Sequence, residues 1–480
     1  MEAFLQYRRL ERSVREGETK KFGDNLVIFD ENDEHNPQNW STSYKVLCTT
    51  IIWLLVLVTG WASSADSTAH EIAIKDLHVS AVAETLATSM YLFGVGACAI
   101  ITGPVSETLG RLPTYLGTFA VYLIWTMATA LSPNFAAQII FRFLAGFFAS
   151  TSMSIYGGSL ADMFDEHDRA WVWPVFALSP LLGPVIAPIA SGWIVDCAGW
   201  RWIDWTTLII SGATFVVALL CLPETYAPIV LSFKAQILRK TTGDTSYHSE
   251  HDQGSVSGRL GRNLSRIVFF LVREPTTVLF GLYLTLLYLL IYGFLEGFDY
   301  IFTETYGFTI GQRYSCFASI AIGIFLGMFY VMILNKFSKT AETPEQRLVP
   351  ALFASPLLAI SLFWIGWTDR PSISYWSVLG ACCLFGFALH ALFTTTYHYL
   401  LDTYGTVASS AMAAITCVRY LASGGMVLIT EPMYEGLTVK WTLTLLGCVA
   451  AVLTPVPWVF WKYGSVIRRR SKWARSEDEA

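Results

Sequence analysis

Long apolar stretches alternate with short polar segments along the 480 residues of the chain. Because an α-helix rises 1.5 Å per residue, about 20 consecutive apolar residues are enough to cross the hydrocarbon core of a bilayer. The pattern therefore predicts twelve transmembrane helices. Their approximate limits are 46–65, 84–105, 113–131, 135–157, 171–195, 203–222, 276–299, 314–334, 348–367, 374–397, 407–429 and 441–461.

The longest polar interruption separates the sixth predicted helix from the seventh. It is rich in serine, glycine, histidine and charged residues, and six helices lie on each side of it. Two repeated bundles that meet around a central path have this organisation. We therefore predict an all-α membrane protein. Its parts are an N-terminal tail (1–44), a six-helix bundle (45–222), a linker (223–274), a second six-helix bundle (275–461) and a C-terminal tail (462–480).

The distribution of lysine and arginine predicts the orientation of the helices. With the N-terminus inside, the inner segments carry 24 of these residues and the outer loops carry five. Cytoplasmic loops retain positive charge, so both termini are expected in the cytosol. The basic run 468–470 is expected to contact anionic lipid, which suits a cell membrane and does not rule out a vacuolar one.

The composition excludes several classes of protein. With 54% hydrophobic and 14% charged residues, the chain is unsuited to a soluble fold, and a net charge of -5 gives no basic surface for nucleic acid. The sequence also lacks the glycine-rich loop of ATPases and the motifs of metal-dependent or serine hydrolases. We therefore predict a monomeric carrier without a cofactor rather than an enzyme. It would bind a small molecule, protons and membrane lipid, with a membrane enzyme or a substrate sensor as remote alternatives.

A few ionisable residues fall within or at the ends of the predicted helices. Each costs several kcal/mol (about 2.5 to 3.5) to place in a bilayer, so such residues usually face a cavity or a partner. We take five of them as candidates for proton coupling or substrate binding: Asp66, Arg142, Glu296, Asp299 and His390. Arg419, in the eleventh helix, is expected to support packing or an inner gate.

Two of these candidates, Glu296 and Asp299, are three residues apart on the seventh helix. Residues at this spacing share a helix face, where two carboxylates in a dry cleft raise one pKa and retain a proton. The alternative places both at the hydrated outer interface. His390 has two interpretations, a group that titrates near neutral pH or a hydrogen-bonded packing residue. Arg142 also has two, a functional residue or a structural one that donates to backbone carbonyls.

Several motifs, in order, resemble those of the major facilitator superfamily, specifically its fungal twelve-helix drug:proton antiporters. They cover nearly the whole chain and are Asn36-Pro37-Gln38-Asn39-Trp40, the loop from Gly103 to Arg111, Arg142-Phe143-Leu144-Ala145-Gly146, Gly183-Pro184 with Pro188 and Gly192, Leu222-Pro223-Glu224-Thr225, Phe298-Asp299-Tyr300-Ile301-Phe302, Pro344-Glu345-Gln346-Arg347-Leu348, Gly366-Trp367-Thr368 and Asp402-Thr403-Tyr404-Gly405.

The resemblance assigns roles to two of these motifs. One is a gating loop, formed by Gly103, Glu107, Gly110 and Arg111, in which Glu107 and Arg111 form an ionic latch. The other is an antiporter-like motif, formed by Gly183, Pro184, Pro188 and Gly192, which bends the fifth helix against a neighbour. Both depart from the family pattern. Leu112 replaces a second basic residue, and Ala187 and Ser191 replace common glycines.

Together these observations predict a secondary carrier that works by alternating access. The resemblance implies export of a small organic molecule, such as a drug, secondary metabolite or organic acid, in exchange for protons. Uptake or facilitated diffusion of an organic acid or a polyamine is the alternative, because the same architecture supports it.

Overall fold

The computed structural model describes residues 1–15, 21–22, 25–30, 32–249, 261, 266–267, 269–270, 272–337, 343–405, 408–469 and 471. Residues 250–260 and 262–265 of the predicted linker, Arg470 of the basic run and residues 472–480 of the predicted C-terminal tail lie outside this part of the chain.

The first half is built from helices that are joined by short turns. They are α2 (Thr42–Ser64), α3 (His70–Leu77), α4 (Ala81–Leu109), α5 (Arg111–Ala130), α6 (Phe135–Met163), α7 (Glu166–Phe176), α8 (Ser179–Ala198) and α9 (Arg201–Cys221). A short 3-10 helix, Ala65–Ala69, extends α2, and α7 and α8 together form the fifth crossing.

The second half repeats this arrangement. Its helices are α11 (Pro275–Phe298), α12 (Ile310–Ser315), α13 (Phe317–Phe337), α14 (Val349–Thr368), α15 (Tyr375–Tyr404), α16 (Ala408–Leu453) and α17 (Pro455–Arg469). A π-helical segment, Asp299–Glu304, extends α11. Between the two halves lies α10 (Ala227–Thr242).

The helices correspond to the twelve predicted crossings. Among the described residues, 10 helical stretches are long and apolar enough to span a bilayer. The remaining two crossings are α5, which packs between α6 and α9, and the second part of the long stretch Ala408–Arg469. Thr438, with a φ of 67°, interrupts that stretch and so separates the eleventh crossing from the twelfth.

The two bundles meet through α4 against α16 and through α8 against α12 and α13. The second helix of each half thus packs on the fifth helix of the other. This reciprocal pairing is the arrangement expected of two repeats related by a pseudo-two-fold axis, in which substrate sites lie at the interface of the repeats.

Equivalent helix crossings in the two halves each contain a closely packed glycine. A Cβ on Gly146 of α6 would lie 2.1 Å from the carbonyl oxygen of Tyr91 in α4. In the second half, a Cβ on Gly386 of α15 would lie 2.2 Å from the carbonyl oxygen of Ile320 in α13. Close backbone approach at small residues drives helix packing in membranes, so the repeat extends to individual positions.

The N-terminal tail and the linker contain folded elements that pack on each other. The tail contains α1 (Glu2–Arg15) and a hairpin of β1 (Lys21–Phe22) and β2 (Leu26–Val27), and it packs on α10 of the linker. The Gln6 side chain of α1 donates to the carbonyl of Glu224 at 3.0 Å and accepts from its N–H at 2.9 Å. We call the side of the molecule that carries these elements the terminal face, and the opposite side the distal face.

Candidate functional site

Arg142 of α6 lies in the interior of the first bundle, with 4% of its surface exposed. Its guanidinium forms an ion pair with Asp66 at 3.2 Å, donates to the carbonyl of Ala62 at 3.3 Å and lies 5.3 Å from the ring centre of Tyr91. The structure therefore brings together two of the candidates predicted from the sequence, Asp66 and Arg142.

A second buried carboxylate belongs to this group. Asp204 of α9 is 2% exposed and interacts electrostatically with both Asp66 and Arg142. Its Oδ2 has no hydrogen-bond partner among the described residues. One guanidinium faces two buried carboxylates, so these three residues together carry a net charge of about -1 when both acids are ionised. Binding of one proton neutralises this charge. Arg201 interacts electrostatically with Asp204, and Glu84 interacts with Asp66 and Arg142.

Glu296 of α11 faces the first bundle rather than solvent. It is 9% exposed and interacts electrostatically with His70, Glu84 and Glu431. His70 Nδ1 lies 2.6 Å from Glu84 Oε2. These side chains form a second group of ionisable residues, near the distal face and contributed by both halves of the protein.

Asp299 follows the end of α11 and has a partner of its own. It forms an ion pair with Arg313 of α12, and 41% of its side chain is exposed. Its charge is therefore compensated at the distal face. The shared carboxylate site of Glu296 and Asp299 stays a prediction.

His390 lies at the contact between the halves. It is fully buried, and its Nε2 is 3.0 Å from the carbonyl oxygen of Pro174 in α7. Thr394, one turn along α15, lies 3.3 Å from the same nitrogen. These contacts match the packing interpretation of His390.

Within the gating loop, Arg111 is 4% exposed and held by neighbours in the first bundle. Its Nε donates to Asp162 at 2.9 Å, and its Nη1 donates to Ser106 Oγ at 2.6 Å. The ion pair of Arg111 thus joins α5 to α6.

Two other residues of the gating loop face the second bundle. Ser409, at the start of α16, donates a hydrogen bond to Glu107. One turn earlier, a Cβ on Gly103 would lie 3.8 Å from the Cβ of Ala413 in α16. The loop therefore contacts both bundles at the terminal face, as a gating element requires.

Gly110 forms the tight turn between α4 and α5. Its φ is 101°, and an added Cβ would lie 2.5 Å from the Glu224 carboxylate. That carboxylate accepts hydrogen bonds from the backbone N–H groups of Arg111, Leu112 and Tyr226, at 3.0, 3.1 and 2.9 Å. Burial raises the pKa of Glu224, and these hydrogen bonds oppose the shift. Glu224 thus caps α5 and needs a glycine beside it.

The antiporter-like motif lies in α8, which packs on both bundles. Its four residues are buried: Gly183, Pro184, Pro188 and Gly192. A Cβ on Gly183 would lie 2.8 Å from the carbonyl oxygen of Leu57 in α2. A Cβ on Gly192 would lie 3.1 Å from the side chain of Tyr314 in α12. The motif therefore allows close contact with helices of both halves.

Polar contacts connect the bundles at the terminal face. Arg169 of α7 forms an ion pair with Asp402 of α15 at 3.2 Å, and Arg347 approaches the same carboxylate at 3.3 Å. Trp173 donates to the carbonyl of Thr394 at 3.0 Å. Beside these contacts lies a cavity of about 540 Å³, and among its lining residues are Glu107, Arg111, Asp162, Arg169 and Ser409.

The bundles also touch at the distal face. The hydroxyls of Ser63 and Tyr292 are 2.7 Å apart, and the Tyr314 hydroxyl donates to the carbonyl of Ser67 at 3.1 Å. Trp193 donates to Ser315 at 3.1 Å. The structure thus has contacts between the bundles on both sides of the central path.

Sequence reasoning missed Asp204 and Glu84, although both lie inside predicted helices. Each is within the first two positions of its predicted helix, where a charged side chain ordinarily contacts water. An acidic residue just inside a predicted helix was the available signal. Only the packing of α3, α6 and α9 shows that both carboxylates are buried.

Comparisons with known proteins agree with this architecture. The family model for the Major Facilitator Superfamily matches residues 52–426. The MFS-type transporter kojT of Aspergillus flavus is 42% identical, over 93% of this chain and 82% of its own. The citrinin biosynthesis cluster MFS transporter mrr1 of Monascus ruber is 34% identical, over 92% of this chain and 91% of its own.

Among solved structures, the proton:xylose symporter XylE bound to 6-bromo-6-deoxy-D-glucose has the same fold. It superimposes with a TM-score of 0.65, covering 88% of this chain and 96% of its own at 14% identity. The family match, the relatives and the paired six-helix bundles establish that this chain is a transporter of the major facilitator superfamily.

Proposed function

We propose that this transporter exports a small organic metabolite in exchange for protons. The observation that carries the proposal is the buried group of Asp66, Arg142 and Asp204, in which two carboxylates share one guanidinium. An excess negative charge in a dry interior is costly, so the group favours one bound proton when water is excluded.

Proton binding and cargo binding are coupled if they favour different conformations. When a path opens to water, the excess carboxylate is hydrated and releases its proton. When the path closes and water is excluded, the excess carboxylate binds a proton again. Contacts that join the bundles at both faces supply the two gates between which such a cycle alternates.

The group of Glu296, His70 and Glu84 offers a second place for a proton. It lies near the distal face and draws on both halves, so movement of one bundle against the other changes its surroundings. We propose it as the point where protons enter from outside the cell. With both termini in the cytosol, as the lysine and arginine distribution favours, the distal face is extracellular.

The export direction and the class of cargo rest on the relatives. Two of the similar proteins are named as transporters of citrinin biosynthesis clusters, in Monascus ruber and Monascus purpureus. Similarity of about one third in sequence over nine tenths of the chain supports a secondary metabolite as the cargo here.

The test uses purified protein in liposomes with an acidic lumen and a neutral exterior. Citrinin, spermidine and rhodamine 6G serve as a metabolite, a polyamine and a lipophilic drug. Proton antiport predicts protein-dependent accumulation of a cargo inside the vesicles, which stops when nigericin collapses the pH difference. Transport that does not depend on the pH difference would instead indicate facilitated diffusion.

The same assay tests the proposed proton site. Asp204→Asn keeps the shape of the side chain but removes the excess charge. We therefore expect cargo exchange to continue. Accumulation driven by the pH difference should fall at least about ten-fold, equivalent to 1.4 kcal/mol. Asp196→Asn is the matched control, because Asp196 is an exposed carboxylate of the same bundle. Full pH-driven accumulation by Asp204→Asn would exclude Asp204 from coupling.

A further inference from the structure

Arg419 of α16 is a fully buried cation surrounded by aromatic rings. Its guanidinium carbon lies 4.0 Å from the ring centre of Tyr288, 5.0 Å from that of Tyr420 and 5.7 Å from that of Phe393. Its Nη1 donates to the hydroxyl of Tyr397 at 2.6 Å. Its Nε and Nη2 have no hydrogen-bond partner among the described residues.

This environment sets Arg419 apart from the other buried arginines of the described chain. Each of the others has a carboxylate within 4 Å, whereas Arg419 has none among the described residues. The paired residues are Arg111, Arg142, Arg169, Arg313 and Arg468. A buried charge is usually paired, and a buried donor that is left without a partner is destabilising. The described residues therefore leave two donors of this buried cation without a partner.

The four rings around Arg419 belong to the second bundle, and residues of the first bundle contact them. Trp173 of α7 lies 6.2 Å from Tyr397, ring centre to ring centre, and stacks on Tyr156 of α6 at 5.9 Å. The Tyr288 hydroxyl donates to the carbonyl of Pro180 in α8 at 3.1 Å. The Tyr156 hydroxyl is buried without a hydrogen-bond partner among the described residues. The region thus lies between the halves, where alternating access exposes it to each side in turn.

We propose that Arg419 binds a carboxylate group of the transported molecule, with the tyrosines stacking on a planar ring of the same molecule. The proposal rests on the proposed transport function and adds to it the chemical class of the cargo, a compact planar organic anion. A guanidinium presents its donors as a fork that matches two carboxylate oxygens, and an ion pair is strengthened where water is excluded.

Binding to the purified full-length protein tests this, with no membrane gradient. Three acids are each compared with the neutral amide of the same shape: benzoate with benzamide, salicylate with salicylamide, and nicotinate with nicotinamide. At pH 7.5 the acids are ionised. Calorimetric titration should give at least one acid that binds about ten-fold or more tightly than its amide, because hydrogen bonds to charged groups contribute more than neutral ones.

Variants attribute this preference to Arg419. Arg419→Gln should bind the acid and the amide equally, and Arg419→Lys should keep a reduced preference because it retains the charge without the fork. The double variant Arg468→Gln/Glu345→Gln is the control, because it removes a buried arginine together with its own carboxylate and should keep the full preference. Thermal unfolding and size-exclusion profiles report whether each variant is folded.

The proposal is overturned if the wild type binds none of the acids more tightly than its amide, or if Arg419→Gln retains the preference. Should Arg419→Gln fail to fold, an undiminished preference in Arg419→Lys overturns it as well. A role for Arg419 in packing alone would lower the unfolding temperature of the variants without changing the ratio of the two affinities. Because no proton gradient is present, loss of antiport in liposomes and loss of anion preference are separate results.

Discussion

Buried charges in this protein are compensated in different ways, and the differences distinguish their roles. Arg111 forms an ion pair with Asp162, interacts electrostatically with Glu107 and Glu224, and contributes to a fixed contact between two helices. Arg142 has two carboxylates nearby, which leaves room for a proton. Arg419 has no carboxylate within 4 Å in the part of the chain that the structure describes, and two of its donors have no partner there. The roles that we propose for Arg142 in proton binding and for Arg419 in cargo binding follow from these different surroundings.

Gly110 offers a test of the gating loop at the scale of one residue. Gly110→Ala places a Cβ at a φ of 101° and 2.5 Å from the Glu224 carboxylate, so we expect a loss of about 1–3 kcal/mol in stability and a lower unfolding temperature. Gly117→Ala, in the middle of α5 with nothing within 4 Å of the added Cβ, should instead stabilise the protein by up to about 1 kcal/mol. Equal effects of the two changes would contradict this account.

At the scale of elements, the close crossing of α4 and α6 and that of α13 and α15 are equivalent features of the two repeats. In both, a glycine lets one helix backbone approach another to within contact of its carbonyl oxygens. Such crossings keep each bundle rigid, so that the bundles move as units when the path opens.

The equivalence of the two crossings predicts matched effects. Gly146→Ala and Gly386→Ala should each destabilise the protein by about 1–3 kcal/mol, because a methyl group would overlap a backbone carbonyl of the facing helix. Gly212→Ala in α9 and Gly425→Ala in α16, where the added Cβ meets nothing within 4 Å, are the controls and should be neutral or stabilising. Thermal unfolding in detergent measures all four. A large loss in the controls would show that glycine at these positions matters for another reason.

At the scale of the whole molecule, the two halves are connected by a small number of polar contacts at each face. Asp402 is central at the terminal face, since it pairs with Arg169 across the bundles and with Arg347 of its own half. Arg313 and Asp299 pair within one half at the distal face. Breaking the ion pair of Asp402 and Arg169, which joins the bundles, should shift the balance between open and closed states. Breaking the ion pair of Arg313 and Asp299, which lies within one half, should not.

Removal of the Asp402 charge should therefore open the terminal face. Ala161 lines the cavity of about 540 Å³ at the terminal face. We expect Asp402→Asn to increase labelling of a cysteine at this position by about ten-fold for each 1.4 kcal/mol lost from the closed state. Labelling with a membrane-impermeant maleimide is compared between Ala161→Cys and Ala161→Cys/Asp402→Asn, and the parent chain corrects for the nine native cysteines. Asp299→Asn is the control for a lost ion pair. Unchanged labelling would mean that Asp402 does not hold this gate closed.

The sequence by itself determined the architecture. Apolar stretches of fixed length, separated by polar loops, define the crossings because a bilayer leaves backbone groups no partner except those within a helix. The connector between the sixth and seventh helices defines the two halves, and the motifs from Gly103 to Arg111 and from Gly183 to Gly192 indicate the family. Asp66 and Arg142 were also identifiable, since an ionisable residue in an apolar stretch is conspicuous.

Only the tertiary structure decided which charges meet. Asp204 joins Asp66 and Arg142 because α2, α6 and α9 pack together, and Glu296 faces His70 and Glu84 of the other half, while Asp299 pairs with Arg313. Only the structure shows that Arg419 is surrounded by four aromatic rings and has no carboxylate within reach among the described residues. Electrostatic interaction depends on distance and burial across helices far apart in sequence, whereas hydropathy is a local property of the chain.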